Sequence, residues 1–311
     1  MSGLAPLIVI LGPTASGKSA LGIEIAKKLH GEILVCDSTQ IYRHFDIGTG
    51  KILPAEQQGI THHLVDLLDP EEIFTAGEYR RRALSVLDDL RLRKKLPVIT
   101  AGTGLYLRAL LEGLADAPER SEEIRDRLRS SAEIHGAAHL HRILRRLDPE
   151  SAARIAVPDT QKIIRAIEMR VVAGKSATEI HRSGRTPLAG YQSIKLGLAP
   201  PREALYQRIH SRIDAMIQAG WIEEVARLVE NAIPADAKPF QFIGYSEWRA
   251  YLAGKLPKEE ALQKIRQATR RFAKRQLTWF RREPNVDWFT GFGDDPEIFR
   301  AALQKLNSQI S

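Results

Sequence analysis

Residues 7–19 read Leu-Ile-Val-Ile-Leu-Gly-Pro-Thr-Ala-Ser-Gly-Lys-Ser, and this stretch decides the fold. Leu7 to Leu11 is a continuous apolar run that stops at a glycine, as a strand buried on both faces of a parallel sheet does. Gly12 to Ser19 fits G-x-x-x-x-G-K-[ST] with no mismatch. A helix follows from Lys18 to Leu29, with Leu21, Ile25 and Leu29 four apart. Strand, glycine loop and helix in this order build a phosphate cradle. Gly12 and Gly17 let successive backbone N–H groups point inward, and the helix start adds its positive end. Lys18 supplies a movable cation, and Ser19 is placed to reach a Mg²⁺ ion. Pro13, Thr14, Ala15 and Ser16 complete the loop. The motif specifies a bound polyphosphate without specifying ATP.

Outward from the loop, Glu32 to Cys36 reads as a second buried strand ending at Asp37. Residues 43–63 are loop-like, and His63 to Leu68 reads as a third short strand. A charged amphipathic helix runs from Thr75 or Ala76 to Lys95, and Pro97 to Thr100 is a strand running into Ala101-Gly102-Thr103-Gly104. This alternation predicts an α/β fold, a parallel sheet of the P-loop NTPase kind flanked by helices. After Gly113 the pattern changes: residues 118–182 read as helical throughout, an inserted helical subdomain. Residues 193–199 read as a returning strand, and helices are expected near 202–219, 222–231, 245–253 and 257–282. The expected division is a discontinuous core of 1–115 with 191–311, and a helical insertion of 116–190.

Composition narrows the class. The 311 residues are 43% hydrophobic and 27% charged, which excludes a disordered chain, a collagen and a disulfide scaffold. The single cysteine, Cys36, fits a reducing compartment, and no apolar run approaches the roughly 18 residues of a membrane helix. The N-terminal apolar run lacks a basic flank and flows into the glycine loop, so a cytoplasmic protein is expected rather than a signal peptide. The net charge of +8 is uneven. Residues 1–115 are neutral, with 13 basic and 13 acidic side chains, while 261–282 hold 8 basic and no acidic ones. That basic stretch is either a solvated helix face or a surface that tracks nucleic-acid phosphates. Phe272, Trp279 and Phe280, interleaved in it, are expected as core anchors.

A nucleotide hydrolase needs a second carboxylate at a strand end to hold Mg²⁺. The strand at 97–100 offers none; the acid at a strand end is Asp37. Carboxyl ends of adjacent parallel strands share one crevice, so Asp37, Thr103 and the phosphate loop should converge. There Asp37 can bind metal, accept a proton from a nucleophile, or simply cap a turn. Cys36 is expected in the core. His62 and His63 point to opposite faces of a strand and do not suit a shared metal.

Together these segments resemble one family, the tRNA dimethylallyltransferases or tRNA isopentenyltransferases. The matching pieces are GPTASGKS at 12–19, DSTQIYR at 37–43, DIGTGK at 46–51, THHLVDLLDP at 61–70 and AGTGLYLRALLEGL at 101–114. Later pieces are DTQKIIRAIE at 159–168, RIHSRIDAMIQAGWIEEV at 208–225, FIGYSEW at 242–248 and KRQLTWFRRE at 274–283. The resemblance implies transfer of a dimethylallyl group from dimethylallyl pyrophosphate to N6 of adenine at tRNA position 37. It implies Asp37 as the base, Thr103 at the reaction centre, and Arg212 with the phosphate loop on the pyrophosphate, with Ser19 on Mg²⁺. It implies tRNA contacts at Asp37, Ser38, Thr39 and Gln40, and at Gln161, Lys162, Ile163, Ile164 and Arg165. Further tRNA contacts are implied at Gln241, Phe242, Ile243, Gly244, Tyr245 and Ser246, and at Arg270, Lys274 and Arg275. The tRNA partner would present its anticodon stem-loop to a monomer. Ala101, Ile52 and Ser246 depart from the family's usual pattern. The phosphate loop taken alone also permits a small-molecule phosphotransferase, with Asp37 orienting an acceptor hydroxyl.

Overall fold

A computed structural model describes residues 4–115, 117–182 and 184–310. Two compact units emerge: Met1–Leu110 with Ala189–Ser311, and Leu111–Leu188.

The larger unit is built on six strands: β1 (Ala5–Leu11), β2 (Gly31–Cys36), β3 (His62–His63), β4 (Leu96–Ala101), β5 (Tyr191–Leu198) and β6 (Val286–Phe289). They form one sheet in the order β3-β2-β4-β1-β5-β6, and every pairing is parallel. The apolar runs explain the centre: Leu7 to Leu11 and all of β2 are buried, as strands covered on both faces must be. Helix α1 (Lys18–Lys28) starts at the glycine loop, where Gly17 takes the left-handed conformation at φ 87°. Helix α2 (Ala76–Leu92) starts at a capping box in which Thr75 and Glu78 satisfy each other's backbone N–H groups. Helix α3 (Gly104–Glu112) follows β4.

The smaller unit contains α4 (Glu122–His135), α5 (Ala137–Leu147), α6 (Pro149–Arg154), α7 (Thr160–Ala173) and α8 (Ala177–Arg182). Leu140, Leu144, Ile163, Ile164, Ile167 and Ile180 form its own core. Glu168 is fully buried there and is held by Arg125 at 2.8 Å, Arg165 at 2.5 Å and the Ser121 N–H at 2.8 Å. These partners offset the burial and hold its carboxyl down at about 2.

The chain then returns to the larger unit through β5 and adds α9 (Arg202–Gln218), α10 (Trp221–Glu230), α11 (Tyr245–Leu252), α12 (Lys258–Phe280) and α13 (Pro296–Ile310). A second hydrophobic cluster centres on Phe45, Trp221, Phe240, Tyr245 and Trp248. No helix among the described residues is long and apolar enough to cross a membrane.

Two expectations need correction. The third strand is His62–His63 alone rather than 63–68. Leu64 at φ 67° and Asp66 at φ 49° are left-handed, which turns the chain off the ladder and brings Asp66 to Lys51. The chain after Phe280, for which no element was expected, supplies the edge strand β6 and helix α13. Val286–Phe289 pairs with Lys195–Leu198 of β5, and Ala302 and Leu306 join the core under the sheet.

Candidate active site

A cavity of about 740 Å³ opens at the carboxyl ends of β1, β2 and β4. Thr14 to Ser19, Asp37, Thr39, Gln40, Gly102, Arg212 and Gln276 line it. This is the crevice that parallel-strand geometry requires for the phosphate loop and Asp37.

The loop is held by hydrogen bonds within the protein. The Lys18 ammonium donates to the Pro13 carbonyl at 2.8 Å, and the Gly293 N–H donates to the Ser16 carbonyl at 2.8 Å. A side chain on Gly17 would collide with the backbone of Gly293, so residue 17 must be glycine both for its φ and for this packing. Arg208 clamps Asp294 through two hydrogen bonds of 2.7 and 2.9 Å and stacks 4.6 Å from the centre of the Phe292 ring.

Opposite the loop, Asp37 Oδ1 accepts hydrogen bonds from the Thr39 N–H at 2.9 Å and the Thr39 hydroxyl at 2.7 Å. The other oxygen, Oδ2, accepts none among the described residues and lies close against Gly102. Thr103 Oγ1 accepts from the Ser38 N–H at 2.9 Å and donates to the Ser38 hydroxyl at 3.1 Å. Thr103 therefore fixes the turn after β2 and is absent from the cavity lining. Behind Asp37, burial pushes the Cys36 thiol up to about 12, so it stays neutral.

Two cations face the carboxylate. Burial lowers Lys18 to about 8, with Asp37 opposing the shift and Arg212 adding to it. Burial and the neighbouring Arg208 also lower Arg212, against the pull of Asp37 and Glu56. Neither Lys18 nor Arg212 has an ion-pair partner among the described residues. Two such cations beside a nest of backbone N–H groups make a receptor for a polyanion.

The wall beside Arg212 is the 46–51 loop. Glu224 is buried and accepts from the N–H groups of Asp46 at 3.0 Å, Ile47 at 2.8 Å and Gly48 at 3.4 Å, and from the Tyr245 hydroxyl at 2.6 Å. Lys51 is buried too, between Asp46 at 2.7 Å and Asp66 at 2.5 Å, and it also reaches the Tyr42 carbonyl. The Gln40 amide donates to the carbonyls of Thr49 and Gly50, each at 3.1 Å.

Asp37, Thr39, Gln40, Arg212, Gln241, Phe242, Ile243, Arg275 and the loop all reach one cavity. Gly244 is buried at the start of α11, and exposed Ser246 donates to Glu247 at 2.8 Å. Tyr245 is a core residue, fully buried against Glu224, and Ile163 and Ile164 pack inside the helical unit. The side chains of these three are therefore not surface contacts. Gln161 is exposed, Lys162 pairs with Asp159, and Arg165 with Glu168. Exposed Lys274 and Arg275 and half-buried Arg270 lie on α12, with Arg270 Nη1 at 3.2 Å from His210 Nε2. Of the three aromatic residues expected in the core, only Phe280 is there. Phe272 lines the cavity, and Trp279 is 36% exposed under the Arg108 guanidinium.

Sequence reading missed Gln276, Glu224 and the Gly293–Asp294 turn. One signal could have found Gln276. It falls on the stripe of Ala261, Ile265, Ala273 and Phe280 that α12 buries, a polar side chain on an apolar face.

The family model described as IPP transferase matches residues 40–283. The tRNA dimethylallyltransferase of Solibacter usitatus is 46% identical over 301 residues, covering 97% of this chain and 98% of its own. The crystal structure of the full-length tRNA isopentenylpyrophosphate transferase from Bacillus halodurans aligns with a TM-score of 0.71 at 36% identity, covering 98% of this chain and 97% of its own. A eukaryotic dimethylallyltransferase captured acting on tRNA aligns with a TM-score of 0.84 at 26% identity, covering 98% of this chain and 79% of its own.

Proposed function

Because this chain belongs to the IPP transferase family, the tRNA dimethylallyltransferases, we propose that it transfers a dimethylallyl group from dimethylallyl pyrophosphate to N6 of adenine 37 in tRNA. The observation that carries the residue roles is the cavity in which one carboxylate, Asp37, faces Lys18 and Arg212, two cations with no ion-pair partner among the described residues.

The exocyclic N6 is a poor nucleophile, since its lone pair is delocalised into the ring. As N6 bonds to the allylic carbon, the carbon–oxygen bond breaks and its electron pair leaves on pyrophosphate. The N6 proton passes to Asp37 Oδ2, the oxygen that accepts no hydrogen bond among the described residues. Thr39 holds Oδ1 and so fixes the direction of Oδ2. Lys18, Arg212 and the loop N–H groups balance the charge growing on the leaving group. Thr103 acts by holding Ser38 and the turn beside Asp37.

The family resemblance also implies Mg²⁺. Ser19 offers one neutral oxygen, and no group of three or more His, Cys, Asp or Glu gathers among the described residues. The Ser19 hydroxyl, which lines the cavity, would help to hold such an ion, and the ion would supply positive charge to the leaving group. The target adenine must leave its stack to enter the cavity. The tRNA would meet α12 through Arg270, Lys274 and Arg275, and further contacts would come from Gln161, Lys162 and Arg165 and from the 241–246 segment.

Nucleoside mass spectrometry of unmodified tRNA, incubated with the protein and dimethylallyl pyrophosphate, tests the reading. N6-dimethylallyladenosine should appear only when both substrates are present. Its absence, with tight ATP binding and no affinity for tRNA, would point instead to a small-molecule phosphotransferase.

A further inference from the structure

We propose that Gln276 is a positioning residue that sets the distance between the proton acceptor Asp37 and the phosphate loop. The inference rests on the function proposed above. Gln276 comes from the last two turns of the cationic helix α12, yet it is 6% exposed and lines the cavity. Both ends of its amide are used. Its carbonyl accepts from the Thr14 N–H at 2.7 Å, and its NH₂ donates to the Gly102 carbonyl at 2.8 Å. Reversing the amide would place like groups together at both ends, so the two bonds fix its orientation.

The two segments joined in this way carry the two halves of the chemistry. Thr14 belongs to the phosphate loop. Gly102 lies against Asp37 Oδ2, and the Gly102 N–H donates at 3.0 Å to the carbonyl of Cys36, the residue before Asp37. A continuous path therefore runs from loop to base: Thr14, Gln276, Gly102, Cys36, Asp37. The sheet fixes β1 against β4 and β2 against β4 only as far as Leu11, Cys36 and Ala101. Beyond those residues the loop and the 102–104 turn leave the ladder, and Gln276 is the side chain that bonds to both.

The test compares wild type with Gln276→Met, which keeps the length of the side chain and loses both hydrogen bonds. Gln276→Glu keeps the acceptor for Thr14 and, when ionised, loses the donor to Gly102. Steady-state kinetics with unmodified tRNA and dimethylallyl pyrophosphate are measured beside thermal melts. A misplacement on the order of 1 Å costs about 100-fold, so kcat of Gln276→Met should fall by about that factor. Its KM for tRNA should stay within about twofold of wild type, since the loss falls on the transition state, while the stranded Thr14 N–H and Gly102 carbonyl lower its melt by a few degrees. Gln276→Glu should also turn over slowly, with tRNA affinity kept, although its buried carboxylate facing the Gly102 carbonyl lowers its melt. The inference is overturned if Gln276→Met turns over within about threefold of wild type. It is equally overturned if kcat, tRNA affinity and melting temperature all drop together, which marks a purely structural residue. A wild-type chain that transfers nothing overturns the proposed function and this inference with it, whereas an active wild type with an active Gln276→Met overturns the inference alone.

Discussion

Lys51 and Lys18 belong to the same unit, and both follow a glycine-rich turn, yet they are treated in opposite ways. Lys51 ends the 46–51 loop with Asp46, Asp66 and the Tyr42 carbonyl around its ammonium. Next to it, Glu224 gathers three backbone N–H groups and the Tyr245 hydroxyl. Each of these two buried charges meets several partners from elsewhere in the fold. Across the cavity wall, Lys18 has a single carbonyl, and Arg212 has no ion-pair partner among the described residues. Burying a charge is costly unless it is paired. The fold meets that cost with protein groups at the 46–51 loop, and on the function proposed above the diphosphate meets it at the phosphate loop. On that reading the first region is scaffold and the second is a receptor.

The largest effect that would break this division concerns Asp37. Asp37→Asn should lower kcat by about 10³-fold, in the range of a lost general base, while tRNA affinity measured by filter binding stays unchanged. An equal loss in binding would make Asp37 an RNA contact rather than a base.

The contrast sharpens in the pair Arg212→Ala and Glu224→Ala. Removing Arg212 should cost about 10²–10³-fold in kcat, as for other groups that stabilise a leaving charge. It should leave the melting temperature unchanged or raised, since a partly buried cation without an ion-pair partner is lost. Removing Glu224 strands four donors and should cost at least about 3 kcal/mol of stability, read by chemical denaturation. If Arg212→Ala melts early and Glu224→Ala does not, the assignment of scaffold and receptor is reversed.

A smaller effect is expected from the cationic side chains of α12. Reversing charge at Arg270, Lys274 and Arg275 should weaken tRNA binding and flatten its salt dependence, by a slope of roughly 0.7 for each phosphate that is no longer neutralised. The kcat at saturating tRNA should hold for the Arg270 and Lys274 reversals, which lie outside the cavity lining, whereas reversing Arg275, which lines the cavity, should lower kcat as well.

The parts of the site that were legible in the sequence are those written in one segment. The phosphate loop is eight consecutive residues, and its function follows from their order. Asp37 could be found because a strand end is a local feature and parallel topology brings strand ends together. Gln276 and Thr14 are 262 residues apart, and a period of 3.6 says which face a residue occupies without saying what lies opposite. Inside a run of eight cations the glutamine reads as one more polar surface residue. The strand expected over 63–68 failed for a related reason. Leu64, Val65, Leu67 and Leu68 make an apolar run, but Leu64 and the intervening Asp66 are left-handed, and Asp66 serves the Lys51 ion pair. Tertiary demand outweighs β propensity there. The side chains of Tyr245, Ile163 and Ile164 lie in motif segments that also hold exposed residues, yet all three are buried, and a motif read along the chain does not separate the buried face from the exposed one.

The smallest effect is the most specific to the receptor side. Lys18 sits at about 8 because burial disfavours its charge, so the free protein loses that proton as pH rises through 8. A bound diphosphate surrounds the ammonium with negative charge and raises its pKa again. Binding above pH 8 must therefore take up a proton, and affinity should decline as pH rises, whereas below pH 8 it should be flat with respect to this group. One unit above the pKa, about one molecule in eleven remains protonated, so pyrophosphate affinity at pH 9 should be about tenfold weaker than at pH 7. Titration calorimetry in buffers of different ionisation enthalpy reads both the affinity and the proton taken up. Lys18→Met should bind more weakly at every pH and show no such decline. Lys51→Met should keep the decline intact, since Lys51 is held by carboxylates in the free protein and has no anion to wait for. A decline that vanished in Lys51→Met and persisted in Lys18→Met would assign the receptor to the wrong lysine.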